Sequence, residues 1–190
     1  MPLERVRMLD TDMPAPDTME SPGQFYTVWR DNTLYMAMVV KDATPQSRAS
    51  DINLWMDDNF LLGIYPWRYR LGGKFHSGYY REHLGFHKDG TVGLYRDVAV
   101  PSGASTDVRG VQRAVKRTKD GYVYEIAYPA ESLHPLQIKP GEGFRLSLTY
   151  FDAMEHKNVL YFHGQLYYFG GATVNFHTDP NMWLEFIFAE

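Results

Sequence analysis

Most of this chain alternates between apolar and polar positions with a period of two. Within residues 119–152, Tyr122, Tyr124, Ile126 and Tyr128 fall on one side of an extended segment and Val123, Glu125 and Ala127 on the other, the pattern of a β-strand. Pro129 ends that strand because proline has no N–H to give to a ladder, and Ala130–Leu133 has room for about one helical turn. At 139–143, Pro140 fixes one φ and glycine supplies a positive one, which predicts a turn. The strand that leaves it sets Phe144, Leu146, Leu148 and Tyr150 against Arg145, Ser147 and Thr149. One face is greasy and the other polar, as in a sheet with one covered face.

The same reading extends along the chain. Residues 1–23 carry Pro2, Pro14, Pro16 and Pro22 among acids and methionines, an irregular lead-in to a single domain over 24–190. Segments 24–30 and 33–41 form a hairpin about Asp31 and Asn32, which accept turn conformations readily. Both alternating sets of the second segment are apolar, Leu34, Met36, Met38 and Val40 on one side and Tyr35, Ala37 and Val39 on the other. That predicts a strand covered on both faces. A polar loop over 42–51 leads to Trp55 and a strand at 59–65, and residues 66–78, PWRYRLGGKFHSG, read as a long loop with side chains free for binding. Strands follow at 79–87 and 91–96 about the turn Lys88, Asp89, Gly90, and residues 110–118 pair with the Tyr122 strand across Lys119, Asp120 and Gly121. Aromatic-rich segments at 159–163 and 166–169 and an alternating end at 183–188 complete the set. Many short strands with turn signals between them and almost no helix predict an all-β fold, an antiparallel, jelly-roll-like β-sandwich.

Composition narrows the function classes. At 190 residues, 44% hydrophobic and 22% charged, the chain is one globular domain with a real core and has no run that would span a membrane. A net charge of −4 without a basic block argues against nucleic acid, whose phosphates demand a Lys/Arg stripe. Arg109, Arg113, Lys116, Arg117 and Lys119 alternate along one segment and read as a solvated edge strand. With no cysteine there is no disulfide frame, thiolate metal site or cysteine nucleophile, and without GxGxxG or a phosphate loop no nucleotide cofactor is expected. The start MPLERVRMLD lacks the apolar run of a signal peptide, as a domain cut from a secreted protein also would. His83 and His87 share a strand face but stand too far apart for one transition-metal ion. The aromatic share of 15% stands out, because such side chains suit both β-structure and flat amphipathic ligands such as sugar rings.

Five pieces in order carry a resemblance: FYTVWRDNTLYMAMVVKD at 25–42, NLWMDDNFLLGIY at 53–65, DGYVYEIAYPAESL at 120–133, KPGEGFRLSLTYFDA at 139–153 and DPNMWLEFIF at 179–188. Their order resembles the family 9 carbohydrate-binding modules and the wider superfamily of β-sandwich sugar- and haem-binding domains. The resemblance implies a sugar held between two aromatic faces, with Trp55 as the first plate and His177, with Phe176 beside it, as the second. The family's glutamate on the strand after the first plate is matched by Leu61, and its arginine falls near His83, so the polar half of the site differs and another carbohydrate or another face comes into play. It also implies structural calcium held by loop acids such as Asp42, Asp51, Asp57, Asp58, Asp152 and Asp179.

The expectation is a non-catalytic carbohydrate-binding domain, attached to or cut from a glycan-degrading enzyme, extracellular or periplasmic, and monomeric or part of a larger polypeptide. Its partner is an oligo- or polysaccharide, with no nucleic acid and no membrane. Trp55 stacks, Tyr79, Arg81 and His83 on one strand face meet hydroxyls, and Trp67 in the Gly- and Arg-rich loop adds a surface contact, while Trp29 and Trp183 are core. Two alternatives stand beside it. A polysaccharide lyase would take Tyr80 or His83 as base and Arg81 to neutralise a uronate, and a b-type haem domain would ligate through Met36 or Met38 with His163.

Overall fold

The structure, a computed structural model, describes residues 4–8, 23–42, 47–48, 50–66, 79–98, 108–154, 157–163 and 183–189. Its strands are β1 (Glu4–Met8), β2 (Gly23–Arg30), β3 (Thr33–Lys41), β4 (Asn59–Tyr65), β5 (Tyr80–Phe86), β6 (Val92–Val98), β7 (Gln112–Arg117), β8 (Gly121–Pro129), β9 (Gly143–Met154), β10 (Lys157–His163) and β11 (Leu184–Ile187). Two short 3-10 turns accompany them, at Asp51–Met56 and Ala130–Leu133. Among the described residues the strands form two antiparallel sheets. One has seven strands in the order β1-β10-β9-β4-β5-β6, and the other has four, β2-β3-β8-β7. The seventh strand, β11, pairs with the first residues of β9, Gly143–Leu146, and β10 pairs with the rest of it, Leu148–Met154. This is the antiparallel β-sandwich expected from the alternation.

Each turn signal acts where it stands. Asp31 and Asn32 both take positive φ, 48° and 59°, the conformation that matches a two-residue hairpin to the twist of its strands. Gly90 and Gly141 supply φ of 82° and 81° at two later turns, and the Asp89 carboxylate accepts from the Thr91 N–H at 2.9 Å. Between the sheets, Phe60 and Tyr124 meet edge to face at 5.1 Å, and Phe86 packs on Tyr122 at 5.1 Å. Phe60, Leu62, Met38 and Tyr128 are completely buried there. Truncating one such side chain to alanine costs about 2–5 kcal/mol, because a close-packed core closes the resulting cavity only partly. Trp29 packs against the same core, meeting Phe188 at 5.7 Å.

Three expectations change. First, β3 is covered on one face only: Leu34, Met36, Met38 and Val40 are buried, whereas Tyr35 is 41% exposed and Ala37 and Val39 are half-buried. Apolar β-formers satisfy a strand's backbone preference as readily as its burial, so a doubly apolar strand does not require two covers. Second, Glu4–Met8, within the expected irregular lead-in, is an edge strand paired with β10, a partnership that no local pattern announces. Third, the polar face of β9 is not solvated, since Ser147 and Thr149 are buried. The basic segment does form the exposed edge strand β7, and Pro129 does hand over to a single 3-10 turn.

Candidate functional site

Period two divides β4, β5 and β6 between two faces. Phe60, Leu62, Ile64, Tyr80, Leu84 and Leu94 turn into the sandwich, so Asn59, Leu61, Arg81, His83, Tyr95 and Asp97 turn outward. Glycines on this outer face leave room for what packs onto it. A Cβ on Gly93 would lie 2.0 Å from His87 Nε2 and 2.7 Å from Leu54 Cδ1, and one on Gly63 would lie 2.7 Å from the Trp183 ring. The Asp51–Met56 turn therefore rests on the outer face through Leu54, 1% exposed, while the next residue, Trp55, is 51% exposed. Trp55, expected as a stacking plate, thus stands half in solvent.

The same outer face carries a hydrogen-bonded network centred on Asp97. The β5–β6 register shifts between Arg81 and Glu82, so Arg81 pairs with Val98 and Glu82 with Arg96, leaving Asp97 as the extra residue of a bulge. Bulges re-aim side chains, and this one sets the Asp97 carboxylate between Arg81 and His83. Arg81 donates from Nε at 3.0 and 2.9 Å and from Nη2 at 2.6 Å. His83 Nε2 lies 3.7 Å from Asp97 Oδ2, its Nδ1 lies 3.0 Å from Asn59 Oδ1, and its ring stacks on Tyr95 with centroids 6.5 Å apart.

The tautomer follows from Asn59. Its Nδ2 donates to the Asp57 carbonyl at 2.6 Å, so the amide oxygen is the atom facing His83, and Nδ1 must carry the proton. In the neutral imidazole Nε2 then turns a lone pair toward a carboxylate oxygen. Two acceptors face each other, and either a second proton on His83 or hydroxyl donors from a ligand satisfy them. In the same row across the sheet, Thr149 pairs with Leu61 and Leu61 with His83. Thr149 is fully buried, and its Oγ1 has no hydrogen-bond partner among the described residues.

Charge within the network is balanced. Burial pushes the Asp97 carboxyl up, but donors on the protonated form of His83 and on Arg81, with their positive charge, outweigh it and hold the group below its ordinary value. The Asp97 bond in turn raises Arg81, against the opposing effect of burial. Tyr79, partly buried and edge-on to Trp183 at 5.4 Å, has its hydroxyl pushed up by burial, with Arg81 pulling the other way.

The structure thus brings Arg81 and His83 onto one face with Trp55 at its margin and Tyr79 next to Arg81. His177, Phe176 and Trp67 lie outside the described residues. The lyase constellation is split: Tyr80 is 3% exposed on the inner face, where its hydroxyl donates to the His134 carbonyl at 2.5 Å, and the charge of Arg81 is already met by Asp97. Met36 and Met38 fill the core as gap-filling side chains do, and the His163 side chain is outside the described set. Trp183 is buried, as expected, but against Gly63 on the outer face rather than between the sheets. Of the acids named for calcium, Asp57 accepts from the Arg48 N–H at 2.5 Å and its guanidinium at 3.3 Å, and Asp42 accepts from the Tyr150 hydroxyl at 2.9 Å. Among the described residues no three His, Cys, Asp or Glu side chains stand together as ion ligands.

Sequence reasoning missed Asp97, Asn59 and Thr149. The hairpin at Lys88, Asp89 and Gly90 sets His83 opposite Tyr95, but the bulge beyond it pairs Arg81 with Val98, so no local signal places Asp97 between Arg81 and His83.

No protein-family model matches the chain, and no curated protein matches it. Solved structures do. A candidate carbohydrate-binding protein from Bacteroides uniformis superposes with a TM-score of 0.65 at 13% identity, covering 98% of this chain and 84% of that one. A family 9 carbohydrate-binding module from Caldicellulosiruptor kristjanssonii in complex with cellotriose gives 0.64 at 15% identity, covering 90% and 78%, and the module in complex with glucose gives 0.61 at 15%, covering 90% and 79%. The chain has a fold similar to that of the family 9 modules.

Proposed function

We propose that this protein is a non-catalytic carbohydrate-binding domain that grips an uncharged saccharide on the outer face of the seven-stranded sheet. The observation that carries the reading is an indole half in solvent at the margin of a face whose polar groups are pre-positioned and charge-balanced. A pyranose ring stacks its C–H face on Trp55 while its hydroxyls donate into the acceptor pair of His83 Nε2 and Asp97 Oδ2. Two neighbouring hydroxyls suit that pair, one proton for each acceptor. The neutrality of the Arg81–Asp97 couple favours neutral glycans over uronates, since a carboxylate ligand would compete with Asp97 for Arg81 and meet its repulsion. Likeness of fold to modules seen with cellotriose and glucose supports the ligand class. In this role the domain works outside the cytoplasm, attached to a glycan-degrading enzyme.

Calorimetric titration of the protein with neutral oligosaccharides, without turnover, tests the reading. Trp55→Ala is expected to weaken binding about tenfold, close to 1.4 kcal/mol, with no change in melting temperature, because the ring is exposed. Unchanged affinity for every saccharide that binds would remove Trp55 from the site.

A further inference from the structure

The outer face of the four-stranded sheet holds an open depression, and the Trp55 face does not account for it. Register sets two rows across it, Tyr26–Ala37–Glu125–Ala114 and Val28–Tyr35–Ala127–Gln112. Small residues at Ala37, Ala127 and Ala114 make a floor, and large ones stand beside them. The result is an open trough of about 680 Å³ crossing all four strands. Three gaps of about 4.8 Å make it roughly 14 Å wide, and its volume falls among those of small-molecule sites.

We infer that this trough is a second carbohydrate-binding site, in which an uncharged oligosaccharide lies across the strands, stacked on Tyr26 and Tyr35 and hydrogen-bonded to Glu125. Three observations select the occupant. Tyr26 and Tyr35 are 50% and 41% exposed on diagonally adjacent positions, and the Tyr26 hydroxyl is held by the Gln24 side chain, which fixes one ring in advance. The lining carries one acid, Glu125, and its one base, Arg113, turns its guanidinium away to the Val92 carbonyl, so no basic cluster offers a field to a phosphate polymer or a polyuronate. Glu125 stands mid-trough, exposed, with no ion-pair or hydrogen-bond partner among the described residues. An apolar protein face or a second copy laid on the trough would bury that carboxylate unpaired, and a two-fold copy would bring two of them together. A polyol instead supplies hydroxyl donors to it and C–H faces to the tyrosines. The site is distinct from the Trp55 face and does not rest on the reading of that face.

The test titrates the whole chain with cellohexaose, xylohexaose, mannohexaose and laminarihexaose in turn, following backbone amides by NMR. At least one of these is expected to shift the amides of residues 26–28, 35–37 and 125–127. Tyr35→Ala and Glu125→Gln, both at exposed positions, are each expected to weaken that response about tenfold, and Trp55→Ala to leave it intact. If Trp55→Ala abolishes every response, the trough is not a site and the other face alone binds. If none of the four sugars moves the trough amides, or if Tyr35→Ala leaves all affinities unchanged, the inference is overturned. Sedimentation showing self-association that Tyr35→Ala abolishes would overturn it in favour of a second copy.

Discussion

Strands β5 and β6 carry two ion pairs, one on each face, built from neighbouring residues. On the inside, Glu82 is fully buried: Oε1 accepts from Arg96, and Oε2 accepts from the Tyr128 hydroxyl at 2.5 Å. Arg96 also donates to the Ser132 carbonyl at 2.9 Å and lies 4.2 Å over the Tyr80 ring. On the outside, Asp97 holds Arg81 and faces His83, with 18% and 27% of the Asp97 and Arg81 side chains exposed. The inner pair shares its groups among the two sheets and the Ala130–Leu133 turn, so its bonds tie the sandwich together. The outer pair leaves an acceptor of Asp97 opposite an acceptor of His83, so its geometry is complete only with a donor added. The inner pair is enclosed in the core, and the outer one leaves room for a further donor.

Breaking the inner pair gives the largest expected effect. Arg96→Met leaves the Glu82 carboxylate buried without its countercharge and is expected to cost about 3–5 kcal/mol in urea unfolding. Adding Glu82→Gln should recover a large part of that loss, because a neutral amide needs no countercharge. Loss of saccharide affinity by the folded double mutant would show that the inner pair also serves the outer face.

Next comes Gly63→Ala on the outer face. The new Cβ would meet the Trp183 ring at 2.7 Å and Ser147 Cβ at 3.2 Å, with Trp183 5% exposed. Overpacking of this kind costs about 1–3 kcal/mol, which a shift in melting temperature would record. An unchanged melting temperature would mean that Trp183 moves freely.

Asp97→Asn separates the two pairs most directly. It replaces one charge-assisted bond set with neutral ones at a partly exposed site, so a stability loss of about 1 kcal/mol is expected. The larger consequence is for binding, since an amide sets a donor where the site needs an acceptor, and saccharide affinity should fall about tenfold. A variant that loses stability but keeps full affinity would return Asp97 to a purely structural role.

Much of the fold was legible because its signals are local. The alternation in 122–128 and 144–150, the Asp31, Asn32 turn and the stop at Pro129 each report a backbone requirement within a few residues. Strand β1 and the coverage of β3 were not legible, because a strand's partner and its cover come from distant chain. At the candidate site, Arg81 and His83 were named from residue type and face and Trp55 from the family resemblance, but Asp97 depends on a bulge and Thr149 on a row that crosses three strands. The apolar set Tyr35, Ala37, Val39 shows the limit most clearly, since the same letters describe a buried strand and an open trough.

The smallest effects come from pH, and they give the two faces opposite signs. Asp97 is held below its ordinary value in the folded protein, so the outer pair contributes fully above the unfolded carboxylate range, about pH 3.9, and that contribution is lost as pH falls through the lower folded value. On the inner face, burial, with the nearby Glu82 acting in the same direction, pushes Tyr128 well above its ordinary value. Its contribution is complete below the unfolded value, about pH 10, and drains away as pH rises further, because only the unfolded chain can then release the phenolic proton. Urea midpoints should therefore decline below about pH 4 less steeply in Asp97→Asn than in the parent, and above about pH 10 less steeply in Tyr128→Phe. Tyr128→Phe also strips Glu82 of a hydrogen bond, so its midpoint should start lower at neutral pH even as its alkaline slope flattens. An Asp97→Asn profile that parallels the parent in acid would mean that the outer couple is as tightly held unfolded as folded, and the distinction between a closed inner pair and an open outer one would lose its energetic basis.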